Sequence, residues 1–289
     1  MGFGLALSGG GAKGAAHVGV LKALCEAGYY PEAVAGTSAG SIAAGLYASG
    51  MAVSEMEKTV RLFSKKGREY LDPDYSGLME FLPQILAGKP AALGGLFKGE
   101  KLLKCFVELT AGKRLDEAIC LFAIPAVDLN SGDTVVYTNA EKAEFLEHVR
   151  WQWEGCLGQA MMASSSVPAV FCPVKTGAFR LVDGGVTDNL PVNILRALGI
   201  RQILAVDLGS SYEKPEDDSL MEVVSHSFAI MSSRLKECGS DEGHILLSPP
   251  TRSCRGLFDF DGMEKCMEEA YYYMKKWLEL RKHGLRIVH

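Results

Sequence analysis

Short, mainly apolar runs alternate along the chain with longer stretches whose apolar positions recur at helical spacing. FGLALS (3–8), AVAGT (33–37), LFAIPAVDL (121–129), FRLVDGG (179–185), QILAVDL (202–208) and HILLS (244–248) are the runs. Bounded by glycine or polar residues, they predict strands, with 3–8 and 202–208 buried. Residues 14–27 place Ala15, Val18, Leu21 and Leu24 on one helical stripe and stop at Gly28. Residues 39–49 predict a small-residue helix closed by Gly50, and 53–66 an amphipathic one. Further helices are expected over 98–112, 156–166, 191–199, 218–237 and 262–282; 191–199 opens on Pro191 and closes on Gly199. TVVYTN (134–139) and 121–129 flank Asn130-Ser131-Gly132-Asp133 and predict a hairpin. Residues 70–98, with Pro73, Pro83 and Pro90, predict an irregular segment. The opening β-α-β-α order argues for a parallel sheet covered by helices. Without repeats or a low-complexity linker, one α/β domain is expected over 1–289. Its motif-bearing core covers about 3–210, and C-terminal helices from about 211–289 pack on it.

Composition narrows the class. With 48% apolar and 22% charged residues, the chain can build a core, which excludes disorder. A net charge of −5 offers no basic excess to displace phosphate counterions, so a nucleic-acid partner is not expected. Eight cysteines stand at 25, 105, 120, 156, 172, 238, 254 and 266, with neither C-x-x-C nor zinc-finger spacing. Reduced, mostly buried thiols in a cytoplasmic protein are expected, and no metal site. MGFGLALSGGG lacks the basic and long apolar regions of a signal peptide, and Ala6 stands where myristoylation after Gly2 needs Ser or Thr. No stretch reaches the ~18 uncharged apolar residues of a membrane span, so any membrane contact is peripheral. The segment LMEFLPQILAGKPAALGGLF (78–97) admits two readings, a core helix with its loop or a lid that touches lipid.

Three glycine-bearing motifs carry the candidate chemistry. Gly36-Thr37-Ser38-Ala39-Gly40 joins a strand to a helix. Gly-x-Ser-x-Gly in that context allows a sharp turn with serine at its apex, at a helix N-terminus that favours developing negative charge. Ser8-Gly9-Gly10-Gly11-Ala12-Lys13-Gly14 also joins a strand to a helix. Gly9, Gly11 and Gly14 fit a dinucleotide loop, but the second strand ends in Gly36-Thr37-Ser38 rather than in the acid that would hold a ribose. A phosphate-binding P-loop fails, because Ala15-Ala16 follows Gly14 where Lys and Ser/Thr are required. Consecutive glycines also expose backbone N–H groups to a substrate oxyanion. Two such loops at the same ends of adjacent parallel strands would face one cleft. The third motif is Asp183-Gly184-Gly185. A serine nucleophile needs a base within reach. His17, His148, His226, His283 and His289 sit in packing, charged or terminal contexts, which leaves His244 and Asp183 as candidates. Asp183, at a glycine turn ending a strand, can point back at the strand ends, and burial would raise its pKa from about 3.9.

Together the motifs resemble the patatin-like phospholipases. The resemblance rests on SGGGAKGAAHVGVLKAL (8–24), GTSAGS (36–41), ASSSVPAVFCPV (163–174) and LVDGGVTDNLPV (181–192), in that order. It implies a modified α/β-hydrolase fold with a mainly parallel central sheet flanked by helices. It implies Ser38 as nucleophile and Asp183 as base. Gly9, Gly10, Gly11 and Ala39 would form the oxyanion hole, with Lys13, Gly14, Gly36, Gly40, Gly184 and Gly185 as supporting loop positions. The expected reaction is acyl-ester hydrolysis of a lipid or lysophospholipid, of the phospholipase A, lysophospholipase or acylglycerol lipase type, without cofactor. The alternative is a non-catalytic lipid- or nucleotide-binding protein that uses the 9–14 loop.

Overall fold

Residue size decides which layer each strand can accept. The computed structural model describes residues 2–88, 93–209, 220–238 and 244–281. In chain order it begins with strand β1 (Gly4–Leu7), a 3-10 turn at Gly11–Gly14, helix α1 (Ala15–Glu26), β2 (Ala33–Gly36) and α2 (Ala39–Ala48). Helices α3 (Val53–Lys66) and α4 (Tyr75–Leu86) follow, then β3 (Gly95–Phe97) and α5 (Glu100–Leu109). Next come β4 (Leu121–Asp128), β5 (Thr134–Thr138), β6 (Val149–Gln152) and α6 (Leu157–Ser164). The short strands β7 (Ala169–Phe171), β8 (Val174–Thr176) and β9 (Phe179–Asp183) lead to α7 (Val192–Ala197) and β10 (Ile203–Val206). The chain continues through α8 (Leu220–Cys238), β11 (Ile245–Leu247) and α9 (Met263–Arg281).

The main sheet runs in the order β11-β10-β1-β2-β4-β5-β6, with β9 and β8 attached beside β4. β11, β10, β1, β2 and β4 are parallel neighbours; β4 meets β5 and β9 antiparallel. Leu5, Leu7, Val34, Phe122 and Ile124 face the large core under α1, α2, α6 and α9. The alternating positions Ala6, Ala33, Ala35 and Ala123 face α7, where Val192, Ile194 and Leu195 fill the space that small side chains leave. The expected hairpin forms between β4 and β5. Asp128 fixes its turn, with Oδ1 accepting from Asn130 N–H and Oδ2 from Ser131 N–H and Oγ.

The expectation of an irregular 70–98 is corrected. α4 occupies twelve of those residues despite Pro83 within it. Asp74 starts it, accepting Ser76 Oγ–H at 2.8 Å and Gly77 N–H at 3.1 Å. β3 then pairs in parallel with β7 to form a second, two-stranded sheet. One face of α4 is left in water, with Tyr75, Met79 and Leu86 exposed.

α9 lies along α1, and its backbone comes close against Gly19. A methyl group there would overlap the Met267 carbonyl oxygen and come within 2.9 Å of Tyr271 N. Neither neighbour is a side-chain end that can swing away. Gly19→Ala is therefore expected to lower stability by about 1–3 kcal/mol, measured by urea denaturation; an unchanged midpoint would show that the α1–α9 seam can widen.

Candidate active site

Ser38 sits between the end of β2 and the first residue of α2 with φ 53 and ψ −122. A non-glycine residue in this region is strained, and the surroundings must hold it there. The elbow is tight: a methyl at Gly36 would overlap the Gly40 carbonyl, and one at Gly40 would overlap the carbonyl of Leu7 on β1. The Ser38 N–H donates to Ser164 Oγ at 3.0 Å. Its carbonyl accepts from Ser41 N–H at 2.8 Å, Ser41 Oγ–H at 2.6 Å and Ser165 Oγ–H at 3.2 Å. Those serines were not among the sequence candidates, although ASSSVP lies within a stretch that carried the resemblance.

Asp183 ends β9, which pairs antiparallel with β4 so that Asp183 lies opposite Ala126. Its N–H donates to the Ser166 carbonyl at 2.9 Å. Oδ1 accepts Gly185 N–H at 2.8 Å, while Oδ2 is buried without a hydrogen-bond partner among the described residues. Burial raises the pKa of this carboxyl to about 7, against the opposing pull of the Ser38 side chain and the Gly185 N–H. The turn that carries it is close-packed: a methyl at Gly184 would overlap the Pro125 carbonyl. Ser232 of α8 donates its hydroxyl to the Gly185 carbonyl at 3.1 Å.

The glycine loop faces Ser38 from the end of β1, as two adjacent parallel strands require. The Gly10, Gly11 and Ala39 N–H groups have no partner among the described residues. Gly9 departs from expectation, because its N–H donates to the Asn189 carbonyl at 3.1 Å and so is not available to an oxyanion. Its lack of a side chain matters instead, since a Cβ there would stand 3.2 Å from Ser38 Cβ. Gly11 has φ +57, and Leu257 packs against it; Ala12 N–H donates to the Leu257 carbonyl at 3.0 Å. A methyl at Gly14 would overlap Ala39 Cβ, so the loop is pressed against the elbow. Lys13 is half-buried, and its carbonyl accepts from the Cys266 thiol of α9 at 3.8 Å. His17 supports the loop from below, donating Nε2–H to the Ser8 carbonyl at 2.7 Å; burial depresses its pKa to about 4, so it is neutral.

His244 is at the wrong end of the sheet to serve as base. Strand register places it level with Ala33, at the opposite end of β2 from Ser38 and three strands across. His148 and His226 lie beside Asp133 and Glu222, while His283 and His289 fall outside the described residues. Among the described residues, no group of three or more His, Cys, Asp or Glu gathers as a metal site, and no helix is long and apolar enough to cross a membrane.

A mainly parallel sheet with a serine elbow and a glycine loop at its carboxyl edge defines a patatin-type α/β fold. The patatin-like phospholipase family profile matches residues 5–196, and the chain belongs to that family. An NTE family protein of Mycobacterium bovis is 27% identical over 215 residues, covering 74% of this chain and 51% of the relative. The human patatin-like phospholipase domain-containing protein 6 is 28% identical over 209 residues, covering 72% of this chain and 13% of the relative. The chain thus spans about half the length, or less, of these relatives. Among solved structures, VipD from Legionella pneumophila shares the fold, with a TM-score of 0.50, 17% identity, and coverage of 96% of this chain and 67% of that one.

The raised pKa of Asp183 has a consequence for stability. The carboxyl binds a proton up to about pH 7 when folded, but only up to its ordinary value of 3.8 when unfolded. Between these values the native state holds the extra proton, so this group's contribution to stability falls as pH rises and is least favourable above 7. Asp183→Asn removes that cost. We expect its Tm to exceed wild type by roughly 3–8 °C at pH 8, with the gap closing toward pH 4. Equal melting at pH 8 would show that the carboxylate is better solvated than its burial implies.

Proposed function

We propose that the protein is a serine acyl-ester hydrolase acting on lipids, of the phospholipase A, lysophospholipase or acylglycerol lipase type. The observation that carries this reading is the buried, half-partnered Asp183 carboxyl beside a strained serine, with Gly10, Gly11 and Ala39 N–H groups, without a partner among the described residues, on a loop and elbow packed together. Ser38 Oγ attacks the ester carbonyl while Asp183 takes its proton. The oxyanion rests on the Gly10, Gly11 and Ala39 N–H groups. Asp183 then returns the proton to the leaving alcohol and activates the water that releases the acyl group from Ser38. A free aspartate is far too acidic for this task; one that titrates at about 7 is matched to it.

The base must be ionised to accept a proton. kcat/KM is therefore expected to rise with pH on a single limb with a midpoint near 7. Ser38→Ala should abolish both turnover and labelling by a fluorophosphonate probe. Turnover that survives Ser38→Ala, or a midpoint left unchanged in an active Asp183→Asn variant, would overturn the assignment.

The reading extends to peripheral contact with a lipid surface through the 78–97 segment. Tyr75, Met79 and Leu86 are 69%, 76% and 86% exposed on one face of α4, whose single charged residue is Glu80. An apolar helix face left in water marks a contact site. α4 leads through β3 to β7, and so to the Ser164–Ser166 stretch behind the elbow. Met79→Glu/Leu86→Glu should cut cosedimentation with phospholipid vesicles at least about fivefold, while hydrolysis of a water-soluble short-chain ester stays at the wild-type rate. Unchanged vesicle binding would remove this segment from the reading.

A further inference from the structure

Ser38 and Ala39 share one planar peptide unit. The carbonyl oxygen of Ser38 is at one end and the N–H of Ala39 at the other. That oxygen is loaded with three donors: Ser41 N–H at 2.8 Å, Ser41 Oγ–H at 2.6 Å and Ser165 Oγ–H at 3.2 Å. The two Ser41 bonds are local to the first turn of α2. The Ser165 bond is not, because it arrives from the residue that follows α6, 127 positions away in sequence. Its neighbour Ser164 accepts the Ser38 N–H, so one dipeptide holds both backbone groups of the strained residue. The next residue, Ser166, accepts the Asp183 N–H. Serines 164, 165 and 166 thus hold the backbones of both the elbow and the carboxylate turn, and all three are buried.

We infer that Ser165 is a positioning residue for the oxyanion donor. Its hydroxyl fixes the plane of the Ser38–Ala39 peptide and polarises it, so that the Ala39 N–H donates more strongly. The inference rests on the reading of Ser38 as nucleophile and adds to it. Hydrogen bonds in series strengthen one another, because charge drawn from one end of a peptide group is supplied at the other. As negative charge grows on the substrate oxygen at Ala39 N–H, the Ser38 carbonyl becomes a stronger acceptor, and a hydroxyl already in place answers without reorganising. The gain is therefore felt in the transition state and not in substrate binding. Ser165 Oγ also lies 3.4 Å from Ser41 Oγ, but Ser165→Ala leaves the Ser38 carbonyl with both Ser41 donors and the Ser41 hydroxyl with its 2.6 Å bond to that carbonyl, so the variant should fold.

The test compares wild type, Ser165→Ala, Ser165→Thr and Ser38→Ala on a water-soluble ester, with a trifluoromethyl ketone as tetrahedral analogue. Removing a whole oxyanion donor costs about 10²–10³ in kcat, so weakening one donor should cost about 10-fold. For Ser165→Ala we expect that loss in kcat, KM within about twofold of wild type, and an equal loss of affinity for the ketone. The acid-limb midpoint and Tm should stay in place. Ser165→Thr, which keeps the hydroxyl, should recover most of the loss. Wild-type kcat in Ser165→Ala, or a fall in kcat with unchanged ketone affinity, would overturn the inference while a dead Ser38→Ala left the nucleophile standing. Turnover by Ser38→Ala would instead overturn the nucleophile reading, and this inference with it.

Discussion

The site depends on a serine held where serine does not relax. At φ 53, Ser38 stores strain of roughly 1–3 kcal/mol, and only tight surroundings keep such a residue in place. This accounts for the lack of bulk around it. Gly36 lies against the Gly40 carbonyl, Gly40 against Leu7, Gly14 against Ala39 and Gly9 against Ser38 itself. Each missing side chain lets two backbones approach, and together they fold β1, β2 and α2 onto one point. The inward alanines of β1 and β2 continue the same economy of volume into the layer beneath α7.

Packing alone does not hold the elbow; hydrogen bonds from α6 complete it. Ser164 and Ser165 occupy the Ser38 N–H and carbonyl, while Ser166 occupies the Asp183 N–H. The end of α6 and the two residues after it therefore fix two residues 145 positions apart in the chain. Burial then acts on the ionisable groups with opposite sign. It raises Asp183 to about 7 because the carboxylate is its charged form, and lowers His17 to about 4 because the imidazolium is its charged form. One is left with a proton affinity near neutral pH; the other is a neutral strut that holds the Ser8 carbonyl.

The elements that sequence reasoning missed share a cause. β3, β6, β7 and β8 carry no continuous buried apolar run, since each leaves at least one of its three or four residues unburied. They exist because a partner strand receives them, as β7 receives β3. α4 was hidden by Pro83, whose ring normally ends a helix interior; Asp74 as its starting cap was the legible signal. The wholly buried strands β1, β2 and β10 were legible to within a residue or two and the helices to within about three, because their apolar runs are also their burial patterns.

What the sequence determined by itself was local: the alternation of strands and helices, the glycine turns, and the residue types able to carry ester chemistry at Ser38 and Asp183. These follow from backbone freedom and side-chain spacing within a few residues. Tertiary structure decided which of those groups are at liberty to act. It occupied the Gly9 N–H with Asn189, left those of Gly10, Gly11 and Ala39 without a partner among the described residues, placed His244 at the far end of the sheet, and brought Ser164–Ser166 to the elbow. It also set the proton affinity of Asp183. Hydrogen-bond occupancy and desolvation depend on neighbours supplied by distant parts of the chain, and no local pattern contains them.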